Sequence, residues 1–229
     1  AMPYSTKLPT GNRVAFSPTV TLGWNLANEK FLENSIFDNL MLTASVGIIN
    51  QDLDITASDN EDGYYLYKTV VQKGGWYSWG DNGGLAATEF QRGNNPDMTY
   101  VKRKEFTAGL RGSMWSNLIN FDINFFTSKM DGGLVRPGSL YPNYFTQIGY
   151  PSSSIIPYVN FNVDQRTGFD FSVYANKKVG EVDLTLGVSG MYYKSTAKKR
   201  DENIEFSYLS AVGRALNGYW GLELSLIHI

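Results

Sequence analysis

The residues best suited to chemistry lie in a few separate groups. Trp76, Trp79, Asp81 and Asn82 fall within one seven-residue stretch flanked by the glycine pairs Gly74–Gly75 and Gly83–Gly84. Exposed indole rings can stack on the apolar faces of a sugar while an amide and a carboxylate bind its hydroxyls, the usual build of a site with aromatic walls and few polar groups. The competing reading is a loop whose rings pack against neighbouring chain. Asp52, Asp54, Asp59, Glu61 and Asp62 form an acidic stretch. A calcium loop needs carboxylates at alternating positions closed by a bidentate glutamate. This spacing is looser than that, and a solvated loop describes it better. Glu105, Arg111 and Asp122 carry charge on strands, yet no nucleophile motif or phosphate loop accompanies them. The only histidine is His228 and cysteine is absent. A histidine triad, a multi-histidine metal site, thiol catalysis and a disulfide framework are thus outside this chain's means. No cofactor, metal or enzymatic activity is expected.

Composition narrows the elements that could position these groups. The 229 residues can bury one ordinary core, and 42% hydrophobic against 18% charged residues excludes a disordered chain. Tyrosine (15), phenylalanine (13) and glycine (23) are abundant, which favours an all-β protein. A net charge of −2 gives no basic surface for nucleic acid. No apolar run approaches the roughly 20 residues of a membrane-spanning helix. Ala1-Met2-Pro3 begins no signal peptide, so a mature form or an internal piece is expected.

Period-2 alternation dominates. Val14, Phe16, Pro18, Val20, Leu22, Trp24 and Leu26 alternate with small or polar residues, and Leu40, Leu42, Ala44, Val46 and Ile48 repeat the pattern. A second pair runs from Phe106 to Met114 and from Ile119 to Phe125, joined near Ser116-Asn117. A third runs from Phe169 to Ala175 and from Val182 to Tyr192, joined by 178–181. Each run is about 10 residues or more, the length of a tilted strand crossing a bilayer. Soluble strands are nearer 5 or 6. Connections within pairs are short, apart from 27–39, where 28–33 could form a helical turn. Between pairs they are long, at 49–100 and 131–167. Short–long alternation is the pattern of an outer-membrane barrel, and structureless loops of that length would be unusual in a compact soluble domain. Lys102 and Lys104 share the apolar parity near a strand end, where they would meet lipid phosphates or water.

Six strands cannot close a membrane barrel, and open edges facing lipid leave backbone groups unpaired. The expected fold is therefore an all-β, antiparallel up-and-down transmembrane barrel segment, about six to eight strands of a larger barrel. Residues 1–223 are expected to be this barrel fragment. Residues 224–229 look like a translated adapter from sequencing-library preparation, the alternative being a genuine apolar strand end.

Several segments resemble SusC/RagA-like TonB-dependent transporters. Gly11 to Trp24 resembles that family's aromatic–x–Pro–Ser–Val–x–x–Gly–Trp strand. Glu29 to Leu32 and Asp38 to Gly47 resemble its next turn and strand. Asn95 to Tyr100 is similar to its "NPDLTW" element, Gly168 to Ser172 to "GFELS", and Val212-Gly213-Arg214 with Gly218-Tyr219 to "GRP…GY". Thr19 replaces the frequent serine and Ala215 the usual proline, which leaves subfamily and substrate open. The resemblance implies a 22-stranded barrel with an N-terminal plug in the bacterial outer membrane. It also implies uptake of oligosaccharides or peptides driven by TonB, which would engage a region absent from this chain, and a SusD-like surface lipoprotein as a lid. On that reading Trp76, Trp79, Asp81 and Asn82 would contact substrate or lid. A secreted β-sandwich that binds carbohydrate through the same residues is the alternative from a different class.

Overall fold

In the computed structural model, residues 1–32, 35–53, 55, 64–141, 155–216 and 218 are described; at 72–77, 79, 82, 83 and 85 only the backbone is. Eight strands follow in order: β1 (Thr19–Asn25), β2 (Phe37–Gln51), β3 (Val70–Trp79), β4 (Asn82–Arg92), β5 (Val101–Met114), β6 (Ile119–Val135), β7 (Val159–Val179) and β8 (Val182–Lys199). Six of them form one antiparallel sheet in the order β1-β2-β5-β6-β7-β8, and β3-β4 is a separate two-stranded sheet. All six strands expected from periodicity are present, and the all-β meander is the expected fold.

The registers carry the alternation across the whole sheet. Leu22, Ala44, Ala108, Phe125, Phe169 and Tyr192 lie in one row of direct cross-strand partners. The next row is Thr21, Ser45, Thr107, Phe126, Gly168 and Tyr193. Because side chains alternate faces, a slip of one residue would mix the two sets. No pairing slips in this region, so one face is apolar and the other polar. Val20, Leu22, Phe106, Leu110, Phe121, Phe171 and Leu184 all fall on the apolar face. Aromatic rings fill the gaps left by glycines on the facing strand: Phe121 lies opposite Gly112 and Phe171 opposite Gly190, close enough that a Cβ on either glycine would collide with the ring.

The turns obey local rules. Gly180, with φ +65°, lies in the two-residue connection between Val179 and Val182, where glycine reaches positive φ without a Cβ clash. The β5–β6 turn departs from that. Trp115, Ser116 and Asn117 all have positive φ, between 56° and 62°, a conformation costly for residues with a Cβ. Asn117 N donates to the Asp38 carboxylate (2.8 Å) and Trp115 N to Ile36 O (3.2 Å), holding the turn in place.

Three expectations need correction. The alternation from Arg13 to Leu26 is regular strand only from Thr19 to Asn25. Upstream, Ser5 N donates to Arg13 O, Ala15 N to Pro3 O and Ser17 N to Ala1 O, so residues 13–17 pair with the first residues instead. Proline at 18 has no N–H to continue the ladder. Next, the strands overshoot: β6 has 17 residues, β7 has 21 and β8 has 18. At roughly 3.3 Å per residue β7 runs about 70 Å, more than twice the roughly 30 Å hydrocarbon layer. Extension of β6 and β7 shortens their connection to 136–158, of which 142–154 lies outside the described residues. Finally, the 49–100 connection is not structureless. It contains β3 and β4, and its flanks help to bury a small core of Leu8, Ile55, Leu66, Met98, Tyr100 and Val101. Side-chain packing and backbone pairing, neither visible as period-2 alternation, supply that order. Between β1 and β2 the expected helical turn appears as two short 3-10 turns, Leu26–Asn28 and Lys30–Leu32.

Candidate functional site

The end of the sheet bearing the long connections is a folded cap, and hydrogen bonds from side chains to backbone tie its segments together. Asn12 Nδ2 donates to Met98 O (3.0 Å) and the Tyr100 hydroxyl to Arg13 O (2.6 Å). Asn160 Nδ2 donates to both Thr99 O (2.9 Å) and Gly132 O (2.8 Å), and its Oδ1 accepts from Thr99 N (2.9 Å). Asn95 Nδ2 donates to Tyr158 O (2.7 Å). The Asn-Pro-Asp segment is thus the joint that turns the chain out of the hairpin and into β5. Burial pushes the Tyr100 phenol above its ordinary range, helped by the negative charge of Asp52, while its hydrogen-bonding pulls the other way.

From this cap projects the β3–β4 hairpin, turning at Gly80–Asp81, with Gly80 at φ +61°. Trp76 is paired with Ala86 and Trp79 with Asn82. The glycine pairs do not prevent strand formation, as their composition suggested. Instead Gly74 and Gly75 sit in the irregularity between the Lys73–Thr88 and Trp76–Ala86 pairs, where glycine tolerates a bulge. Asp81 is exposed at the tip. The side chains of Trp76, Trp79 and Asn82 lie outside what the structure describes. The hairpin base is anchored by charge on carbonyls. Arg92, 1% exposed, donates from Nε to Lys68 O (2.9 Å) and from Nη2 to Tyr65 O (3.1 Å). Arg136 Nη2 donates to Gln91 O (2.6 Å).

Beside this base stands an aromatic group that sequence reasoning missed. Tyr64 and Tyr65 meet edge-on at 5.0 Å between centroids, Tyr65 and Tyr67 at 6.0 Å, and Lys68 Nζ lies 4.6 Å over the Tyr65 ring. Tyr64 and Tyr65 remain substantially exposed. The signal available was the run Tyr64-Tyr65-Leu66-Tyr67, whose single buried member is Leu66. Of the acidic stretch, Asp54, Asp59, Glu61 and Asp62 lie outside the described residues. Asp52 accepts from Ser5 Oγ (2.6 Å), and its carbonyl accepts from Lys7 Nζ (3.1 Å), both structural ties of the cap.

The polar face of the sheet carries a ladder of paired groups. Arg111 clasps Asp122 through Nε (2.7 Å) and Nη2 (2.6 Å). Asn124 Nδ2 bridges Asp122 Oδ1 (2.9 Å) and Asp170 Oδ1 (2.9 Å). Nearer the cap, Arg103 pairs with Glu105 (2.5 Å) and donates to Ser128 Oγ (3.2 Å), and Arg200 pairs with Asp164. Asn39, Arg111, Asp122, Ser172 and Tyr174 line a recess of about 360 Å³ near the short turns. These carboxylates are bound to cations or amides, an arrangement suited to a hydrated wall. Glu105, Arg111 and Asp122 therefore fall where a polar lumen would need them.

The apolar face is bounded. On β5 it runs uncharged from Phe106 to Met114, close to the 9–11 residues of a tilted crossing. On β6 it runs from Ile119 to Thr127, and on β8 from Leu184 to Tyr192. Its side chains are bare: Leu22 is 68% exposed, Leu186 80% and Val188 64%.

A long-stranded antiparallel meander with one bare apolar face and one polar face is the fold of part of a β-barrel wall. Among solved structures the chain is similar to the RagAB peptide transporter, with a TM-score of 0.62, 18% identity and 86% of this chain covered. It is similar as well to the RagAB peptide importer in its closed-closed state (TM-score 0.63, 19% identity, 88% covered) and in its open-open state (0.64, 18%, 88%). The chain spans only 19–20% of the length of those chains. No family model and no curated protein matches it.

Proposed function

We propose that this chain is a stretch of the barrel wall of a SusC/RagA-like, TonB-dependent transporter in the bacterial outer membrane. The observation that carries this reading is the apolar band. It is about one crossing high on neighbouring strands, much of it is exposed, and it backs onto a polar face of paired charges. In a water-soluble sandwich a second sheet would cover such a face, which argues against the secreted carbohydrate-binding alternative. Lipid solvates it instead, and the polar face looks into the lumen. The strand edges of β1 and β8 would pair with further strands of the same barrel, since open edges in lipid are not viable.

On this reading the transporter imports oligosaccharides or peptides, works with a SusD-like surface lipoprotein, and is energised by TonB through a region outside this chain. It is not an enzyme. The β3–β4 hairpin, with Trp76, Trp79, Asp81 and Asn82, would reach substrate or lipoprotein at the outer mouth. Its anchored base supports that role, because a rigid support lowers the ordering cost of binding. Residues 224–229, outside the described residues, are read as a non-native tail after a barrel segment of 1–223.

The test is protease added to intact cells that express the transporter. Cleavage between 49 and 100, or between 131 and 167, is expected without opening the outer membrane. Cleavage only after permeabilisation would reverse the topology. For the hairpin, a Trp76→Ala/Trp79→Ala variant at normal surface level should lose nutrient uptake or lipoprotein association. Retention of both would reduce the hairpin to packing.

A further inference from the structure

Above the bare apolar band, towards the cap, the same face changes character within two residues. Lys104 on β5 is the direct partner of Lys129 on β6, and Lys194 on β8 lies opposite Thr167 in the row that contains Phe106 and Thr127. Lys102 and Lys199 lie in the row above the Lys104–Lys129 pair, with Asp131 and Val163 between them. All five are exposed. Two have partners: Lys104 Nζ lies 3.3 Å from Asp131, and Lys199 Nζ lies 3.8 Å over the Phe161 ring. Asp131 is the one carboxylate among the described residues of this band. At the same height the polar face is different. Its cations are Arg103, Arg166 and Arg200, and they are engaged by Glu105, the Tyr193 ring (4.9 Å) and Asp164. On that face each arginine is therefore held within the chain, two by carboxylates and one by a ring. The other leaves an excess of positive charge on lysines.

Like charges placed directly opposite on neighbouring strands destabilise a sheet, and Asp131 can balance only one of the five lysines, so the remaining positive charge calls for an anion from outside the chain. Position decides which anion. The lysines sit where the apolar band ends, and their alkyl stems can lie along it while the ammonium groups reach the polar layer. A clustered basic patch at that level is the arrangement that attracts anionic headgroups. We infer that Lys104, Lys129 and Lys194, with Lys102 and Lys199 above them, bind phosphate-bearing lipid headgroups at the rim of the leaflet nearest the cap. This rests on the barrel-wall reading above, since only a lipid-facing surface would meet such a ligand.

The experiment uses the whole transporter in nanodiscs of phosphatidylcholine with and without phosphatidic acid, whose monoester phosphate serves as the probe. Lipid retained by the released protein is counted by native mass spectrometry. The unaltered transporter should retain phosphatidic acid in preference to phosphatidylcholine. A Lys104→Gln/Lys129→Gln/Lys194→Gln variant should lose that preference by roughly tenfold or more, each lysine near an anionic surface being worth about fivefold. Changing the same three to arginine should keep it. If the triple glutamine variant fails to assemble, Lys129→Gln alone must show a several-fold loss. The inference is overturned if the glutamine variants retain phosphatidic acid undiminished, or if Arg103→Gln/Arg166→Gln on the opposite face abolishes the preference equally. Failure of the unaltered transporter to enter either nanodisc would overturn the wall reading itself, and the lipid site with it.

Discussion

The wall and the cap of this molecule treat their apolar residues in opposite ways. In the cap, Leu8, Ile55 and Met98 are 0% exposed and Leu66 1%. In the wall, Leu22, Leu186 and Val188 are more than half exposed, and among the described residues no second layer covers the apolar face. Both regions come from one chain with one set of hydrophobic residues. On the barrel-wall reading proposed above, the difference reflects two solvents. Chain that meets water must cover its apolar side chains with its own backbone and neighbours, whereas chain that meets lipid need only satisfy its backbone hydrogen bonds. The six-stranded ladder does the second, and the Asn95, Asn160 and Tyr100 ties with the small core do the first.

This contrast can be broken by experiment in the transporter proposed to carry the segment. The largest effect should come from the cap. Leu66→Ala removes a fully buried side chain and should cost about 2–5 kcal/mol, read as a lower thermal midpoint and faster proteolysis between 49 and 100. The matching truncation Leu186→Ala, on the bare face, should cost far less. Equal penalties would mean that the wall is packed like a soluble core. Next comes charge on the wall. Leu110→Arg should cost about 2–4 kcal/mol near the midplane and lower the yield of assembled barrel. Thr107→Arg, on the polar face, should be tolerated better. Indifference to the face would sink the facing assignment.

The smallest effect should sharpen the boundary between the regions. Tyr100→Phe removes the hydroxyl that donates to Arg13 O and should cost about 1 kcal/mol. The Tyr100 phenol is raised from its ordinary 10.0, chiefly by burial. Its contribution is therefore fully present below pH 10 and is lost as pH rises through the folded value. Thermal melts of the unaltered protein should fall between neutral pH and pH above about 10 by more than those of the Phe variant. Identical alkaline losses would show that Tyr100 is solvated in the folded state.

Local alternation was enough to read which face each wall residue takes, because a strand's side chains have period 2 wherever it pairs. Leu40 to Ile48 and Phe106 to Met114 are legible for that reason, and so are the tight turn at Gly180 and the polar placement of Glu105, Arg111 and Asp122. The hairpin was legible only as a cluster of types. Trp76, Trp79, Asp81 and Asn82 stand out by composition, yet their strand pairing depends on a partner, Ala86 for Trp76, that no local pattern names. The Tyr64–Tyr65 group was overlooked because adjacent tyrosines show no period and become a surface only when Leu66 between them and Tyr67 is buried.

The sequence by itself determined the class of secondary structure, the sidedness of the wall and the absence of chemistry that needs cysteine or several histidines. These follow from single residues and from spacings of two. Only the tertiary structure decided how far β6, β7 and β8 run past the band, that 13–17 pair with the first residues, and that Arg111 meets Asp122 while Lys104 meets Lys129. Each of those depends on which strand lies alongside and in what register. A register is a sum of many weak pairings over the whole ladder, and no single segment contains it.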